Sequence, residues 1–285
     1  MILPLLFAFG AMLFWGIGDF LIQRVTRKVG NIEALAWIGI IGTIGLLPFA
    51  WKDLGLVFSG GNFWLFLLLG AIVFASALFN FEALKKGKLS VIDVVLEIEL
   101  PITIFLSFVF FKEVLSLTQA IVIVVIMSGI ILIATKSFSH FKAKLERGVL
   151  IALVASVLYG AVNFLTAVSS KSISPMLAIW APWMIMTILC LVVIIRREGL
   201  GGFISNAKNY KMLILFMGIF DTAAWIFYSH AVHEESISII TAITESYPAI
   251  ALFLGLWLNK EKILFHQYLG AGLALVGSFV LAGTL

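Results

Sequence analysis

The sequence predicts an all-α integral membrane protein of ten transmembrane helices, arranged as two inverted five-helix repeats. Three observations carry this expectation. Hydrophobic residues make up 62% of the 285 and charged residues 12%, with a mean hydropathy of +1.15, against roughly 25% charge in a soluble domain. The apolar residues gather into ten runs of about the 20 residues needed to cross ~30 Å of hydrocarbon. The chain also resembles itself after a shift of 148 positions.

The first run, 4–22, has no charge before Asp19 and is followed by Arg24, Arg27 and Lys28. With no basic stretch in front, it reads as a retained helix and not as a cleaved signal. The runs 34–51, 63–84, 90–111 and 117–135 follow, divided by Lys52, by Lys85, Lys86 and Lys88, and by Lys112. After a basic connection come 148–169, 175–195, 212–231, 237–258 and 265–283, divided by Lys171, by Arg196 to Lys211 and by Lys260 and Lys262. The longest connections, 136–147 and 196–211, are too short to fold alone. Cys190 is the only cysteine, which excludes an intramolecular disulfide and says nothing of redox compartment. The net charge of +4 is not a nucleic-acid signal, because the basic residues lie in short loops where membrane orientation accounts for them.

The internal repeat divides the chain into 1–138 and 139–285. Gly70, Phe79, Ser90, Glu97, Lys112, Glu113, Gln119 and Gly129 meet Gly218, Phe227, Ser238, Glu245, Lys260, Glu261, Gln267 and Gly277 in order. Five spans per copy is an odd number, so the second copy enters the membrane upside down. The loop charges agree: the bias flips between copies, and one face collects sixteen Lys and Arg against three on the other. By the positive-inside rule the basic face is cytoplasmic and both termini are outside. Inverted repeats in a bundle of this kind are the architecture of secondary transporters, whose site lies near the midplane.

The buried polar residues suggest where that site is. In the fourth run Asp93 and Glu97 share a helical face, while Glu99 stands about 200° round from Glu97 at ~100° per residue and needs another partner. Whether Glu99 and Glu82 are functional or structural is open in the sequence. Pro101 and Pro248 each free a backbone carbonyl four residues earlier, at Glu97 and Thr244. A broken helix at membrane depth is tolerated where it lines a polar cavity, so Glu97 and its repeat counterpart Glu245 are candidate substrate or proton sites, and Asp93, on the Glu97 face, is a third. Asp19 lies in FWGIGDF, which corresponds to LYGAVNF at 158–164. The pairs Trp15/Tyr159, Gly16/Gly160 and Asp19/Asn163 recur together, which favours a site; a salt bridge to Arg24 at the membrane rim is the plainer account of Asp19. Trp15, Tyr159, Trp225, Tyr228 and Tyr247 are candidate aromatic walls, and aromatic faces beside acids suit a cation or an amine-bearing zwitterion.

Two other chemistries have partial signals in the sequence. Gly16-Ile17-Gly18-Asp19 matches the GxGD string of intramembrane aspartyl proteases, which need a second aspartate; the nearest partner string, Phe220-Asp221, lacks the tyrosine usual there. His230 and His233 beside Glu234 and Glu235 match no zinc motif, so neither a metal nor a cofactor is expected.

The segments SYPAIALFLGLWLNKEKILFHQYLGAGLALVGSFVLAG and ELPITIFLSFVFFKEVLSLTQAIVIVVIMSGIILIA, with the proline, the Lys-Glu pair and the final glycine in both halves, resemble the EamA-type branch of the drug/metabolite transporter superfamily. The resemblance covers essentially the whole chain. It implies a central cavity lined mainly by spans 1, 3, 4, 6, 8 and 9, and export or exchange of small metabolites. Relatives often carry a glutamate or a small residue just before the proline, where Leu100 and Tyr247 stand here. Many are also described with cytoplasmic termini, contrary to the charge count.

The reading is a non-enzymatic secondary transporter of a small organic solute, monomeric in the lipid bilayer, with protons as coupling ion. A lipid-carrier flippase and an intramembrane aspartyl hydrolase are the alternatives. The orientation is testable directly. Cysteines at Ser59 and Ser139 in a Cys190→Ala background should react with an impermeant thiol reagent from opposite sides, Ser59 from outside. Labelling of Ser139 alone in intact cells would reverse the assignment.

Overall fold

A computed structural model describes residues 2–86, 95–135, 147–197, 199–258, 260 and 264–285. In chain order the helices are α1 (Ile2–Val29), α2 (Asn31–Ala50), α3 (Asn62–Lys86), α4 (Glu99–Phe111), α5 (Leu117–Ala134), α6 (Arg147–Ser172), α7 (Leu177–Arg197), α8 (Leu200–Asn209), α9 (Lys211–Glu234), α10 (Ile237–Thr244), α11 (Tyr247–Leu258) and α12 (Phe265–Ala282). Among the described residues, nine helical segments are long and apolar enough to cross a membrane; α4 is apolar but shorter. The fourth predicted run begins at 90, so its first residues, Asp93 included, lie outside the described residues.

The first half of the chain packs chiefly against the second. The pair α1–α9 has its repeat counterpart in α3–α6, α1–α11 in α4–α6, and α2–α9 in α3–α7, while α2–α7 and α5–α12 join repeat-equivalent helices to each other. In lipid there is little hydrophobic drive for helices to associate, so close contact depends on small residues. Gly129 of α5 and Gly270 of α12 show this. A Cβ at Gly129 would fall 2.6 Å from the Gly270 carbonyl oxygen, and one at Gly270 would fall 2.5 Å from that of Gly129.

Two short helices occupy stretches between the predicted spans. A 3₁₀ helix, Trp51–Phe58, follows α2, and α8 fills the connection between α7 and α9. Both are too short for a spanning pattern to reveal them. Phe203 of α8 stacks on Trp37 at 4.4 Å, and the Asn206 side-chain amide donates to Glu33 Oε2 at 2.9 Å, so α8 is fixed against α2.

At one end of the bundle Glu113 fastens the two halves together. Lys112 adopts a left-handed conformation, φ 55°, and closes α4, a common way for a helix to end. This turns Glu113 beneath the start of α10. Its Oε1 accepts from Ile237 N at 2.8 Å. Its Oε2 accepts from Ser238 N at 3.0 Å, from Ser238 Oγ at 2.8 Å and from Ser236 Oγ at 3.1 Å. The carboxylate thereby satisfies amides that a helix start otherwise leaves open. Nearby, Lys171 Nζ donates to the Glu235 carbonyl at 2.8 Å and His233 Nδ1 to that of Ser170 at 2.7 Å.

Glu113→Ala removes the acceptor of four hydrogen bonds at once. It should destabilise the protein by on the order of 2 kcal/mol, with Glu113→Gln between it and the wild type, read as thermal unfolding in detergent. An unchanged melting temperature in Glu113→Ala would show that the clasp contributes nothing.

Candidate functional site

Both broken spans are interrupted beside the glutamates the prolines point to. Glu97 and Ile98 form a turn just before α4, and Glu245 and Ser246 form one between α10 and α11. Without amide donors at Pro101 and Pro248 the regular i to i−4 ladder cannot close there. The chain uses tighter bonds instead: Ile98 N donates to Val95 O at 3.2 Å and Ser246 N to Ile243 O at 3.2 Å. Side chains steady both breaks. Thr103 Oγ1 donates to the carbonyls of Glu99 and Gly160 at 3.0 and 3.3 Å, and the Ser246 and Ser278 hydroxyls bond each other at 2.7 Å.

The glycines of the two related stretches in α1 and α6 have their explanation at these breaks. A Cβ at Gly16 would lie 2.5 Å from Ile250 Cβ and 3.1 Å from the Tyr247 carbonyl oxygen. One at Gly160 would lie 2.5 Å from Ile102 Cγ2 and 3.0 Å from the Glu99 carbonyl oxygen. Ile102 and Ile250 are repeat equivalents, as are Glu99 and Tyr247. The same close approach is therefore made twice, each time by one half's helix to the other half's break.

These elements surround a cavity of about 1030 Å³. It reaches the end of the bundle marked by Thr26, Asn31, Ala134 and Leu264, opposite the Glu113 clasp. Five carboxyl groups line it, Asp19, Glu97, Glu99, Asp221 and Glu245, and no Lys, Arg or His does so among the described residues. Trp15, Tyr159, Asn163, Trp225 and Tyr247 also reach its surface. Tyr228, expected as a wall, is fully buried and stands behind Trp15 at 5.5 Å. Its hydroxyl lies 2.9 Å from Thr241 Oγ1 and donates to the Asn163 carbonyl at 3.3 Å, so it braces α6 and α10 against α9.

The carboxyl groups form two sets. Glu245, 3% exposed, accepts from Asn163 Nδ2 at 3.2 Å and lies against the carboxyl group of Glu99, with Glu97 close enough to act on Glu99 by charge. Two carboxyl groups this close can share a hydrogen bond only when one of them carries a proton. The 200° separation placed Glu99 apart from Glu97, but that angle assumes an unbroken helix; the turn at 97–98 brings both to one cavity. Asp19 and Asp221 form the second set, close enough to act on each other by charge. Asp19 does not pair with Arg24: it has no hydrogen bond or cation among the described residues, and the Arg24 guanidinium lies 4.4 Å over the Phe20 ring. Asp19 is open to the cavity, whereas Asp221 is 7% exposed. Asp221 has no acidic counterpart in the first repeat, where Val73 stands; the α1–α9 contact brings it in. Asp93 lies outside the described residues.

The EamA-like transporter family matches residues 2–135 and again 146–283, and the chain belongs to that family. The uncharacterized protein MJ1333.1 of Methanocaldococcus jannaschii is 33% identical over 122 residues, which is 42% of this chain and 88% of that protein. A crystal structure titled only as that of a protein superposes with a TM-score of 0.80, covering 99% of this chain and 96% of the other at 16% identity; this likeness shows the fold alone. The chain is thus a multi-pass membrane protein of a family of small-solute transporters.

Gly16→Val and Gly160→Val should each separate a helix from the opposite break by more than an ångström and abolish function while the chain still inserts, because the clash falls on Cβ and backbone atoms. Transport and size-exclusion profiles of the two variants measure this. Wild-type transport in both would mean the approach is incidental.

Proposed function

We propose that the protein is a secondary active transporter of a small organic solute, working by exchange against protons. The observation that carries this is the cavity between the two halves, closed at one end and lined at membrane depth by carboxyl and aromatic groups without a basic residue among those described. Ionised carboxylates near the bilayer centre cost at least about 2.5 to 3.5 kcal/mol each, so a fold that needed them only as struts would not keep five together. The ten-span, inverted-repeat reading, with halves 1–138 and 139–285, is supported by the paired contacts between repeat-equivalent helices. The orientation rests on the loop charges: Arg24, Arg27 and Lys28 lie at the open end, which makes the cavity inward-facing and puts the Glu113 clasp outside.

In this mechanism the broken spans supply the proton site. Glu99 and Glu245 hold a proton between them, Asn163 fixes Glu245, and Glu97 stands beside the pair. Solute entering from the open end and proton leaving are coupled because both answer to the negative charge of one cavity, which is how exchange is enforced without a cofactor. Release on the far side requires the Glu113 clasp to part and the open end to close. Acids and aromatic rings favour a cationic or amine-bearing solute. The flippase alternative has no comparable observation behind it. The hydrolase alternative has one, since Asp19 and Asp221 do meet, but they interact through charge and not through the shared hydrogen bond an aspartyl dyad uses.

Purified protein in liposomes separates these readings: solute counterflow supports transport, labelled-lipid translocation a flippase and peptide cleavage a hydrolase. Glu97→Gln and Glu245→Gln keep shape but cannot titrate, so each should reduce proton-driven uptake by at least about tenfold, or ~1.4 kcal/mol. Full activity in both variants would remove these residues from the mechanism.

A further inference from the structure

The two sets of carboxyl groups differ in one respect that bears on ligand chemistry. The glutamates are satisfied within the protein: Glu245 has Asn163 and Glu99, and Glu99 has Glu245. Asp221 is more than nine-tenths buried and lines the cavity, yet it has neither a hydrogen-bond donor nor a cation among the described residues; its charged neighbour is another aspartate. A buried carboxylate is ordinarily paired or hydrogen-bonded. This one is left for something that enters.

The surroundings say what that is. Positions 7, 14 and 18 of α1 meet positions 230, 227 and 221 of α9 in descending order, so the two helices run antiparallel. Gly18 brings the backbones together here, since a Cβ on it would touch Asp221 N at 3.5 Å. One helical turn from Asp19 on the same face is Trp15, and one turn from Asp221 is Trp225. The antiparallel arrangement puts both indoles on the same side of the aspartates. Trp15 and Trp225 meet edge to face at 5.0 Å, and Trp183 of α7 meets Trp225 at 5.4 Å in the same manner. Trp15, Trp183 and Trp225 all reach the cavity surface. Tyr247, which lies within electrostatic reach of Asp19 and of all three glutamates, stands between this group and the proton site.

We infer that Asp19, Asp221 and the indoles of Trp15, Trp183 and Trp225 form the seat of the solute's ammonium group, separate from the glutamates that carry the proton. Two carboxylates supply the counter-charge, and the indole faces stabilise the alkyl substituents around the nitrogen by cation–π contact. The ligand class is a monovalent organic ammonium with an apolar body. This assignment rests on the proposed transport function and divides its charges between two tasks.

The test uses purified full-length protein in detergent, with tritiated phenethylamine as probe and neutral 2-phenylethanol as its uncharged counterpart. Wild type should bind the amine, and a large excess of the alcohol should not displace it. Asp221→Asn and Asp19→Asn should each weaken binding by at least about tenfold, with melting curves checking the fold. Trp225→Ala should weaken it as well, with partial recovery in Trp225→Phe, which keeps a ring face. Glu245→Gln should lose proton-driven uptake in liposomes while still binding the amine in preference to the alcohol, whereas Asp221→Asn should lose that preference. Wild-type affinity in folded Asp221→Asn, equal displacement by the alcohol, or displacement by sodium ions at the same site would overturn the seat. So would loss of binding in Glu245→Gln with Asp221→Asn unaffected. If wild type exchanges other solutes for protons but ignores the amine, the seat is wrong and the transport reading stands. If it exchanges no solute at all, the transport reading fails with it.

Discussion

A peptide group freed inside a bilayer has no water to turn to, and this constraint organises the molecule. The sequence frees such groups at Pro48 and Pro182 inside α2 and α7, and at Pro101 and Pro248, where the span itself is broken. Each break needs neighbours close enough to shield it and polar enough to satisfy it. α1 and α6 supply the first through Gly16 and Gly160, and hydroxyl groups bond to the backbone beside the breaks, Thr103 to the carbonyls of Glu99 and Gly160 and Ser246 to that of Ala242. Because each break is covered by a helix of the other half, neither half could form its site alone. The cavity follows from the same arrangement, since two shortened, bent spans leave space between them that a straight pair would fill.

The parts that were legible in the sequence share a cause. Apolar runs, loop charges, prolines and the 148-residue repeat are local or periodic signals, and they located the spans, the two breaks, Glu97, Glu245 and Asn163. What was misread depends on geometry that periodicity does not carry. Glu99 was turned away by an angle valid only for a continuous helix. Tyr228 was counted as a wall although α6 and α10 enclose it. Asp221 carried no repeat support, having Val73 as its counterpart, and emerged only because α1 and α9 pack together. The GxGD string pointed to it for another chemistry, a signal of proximity read as one of catalysis. Helix α8 is too short for a spanning pattern, and its anchoring pairs, Phe203 with Trp37 and Asn206 with Glu33, join segments far apart in the chain.

The departure from exact repetition also has a consequence. A symmetric duplication would put the same residues on both sides of the cavity, but here Asp19 faces Asn163 in the repeat, and Glu99 faces Tyr247. The amide stabilises Glu245 through a hydrogen bond, while its repeat counterpart Asp19 has no such bond among the described residues and lies beside Asp221. In the proposed mechanism this asymmetry separates a proton site from a solute site within one cavity. It also makes the two halves unequal in charge at the point where an exchanger must tell its two faces apart.

The central claim is that Glu99 and Glu245 hold one proton that the arriving solute displaces. Infrared difference spectroscopy on lipid-reconstituted protein reads this directly, through the carbonyl band of a protonated carboxyl group on addition of phenethylamine. The account predicts a loss of intensity in wild type that is absent in Glu245→Gln. An unchanged band in wild type, or the same loss in Glu245→Gln, would contradict it.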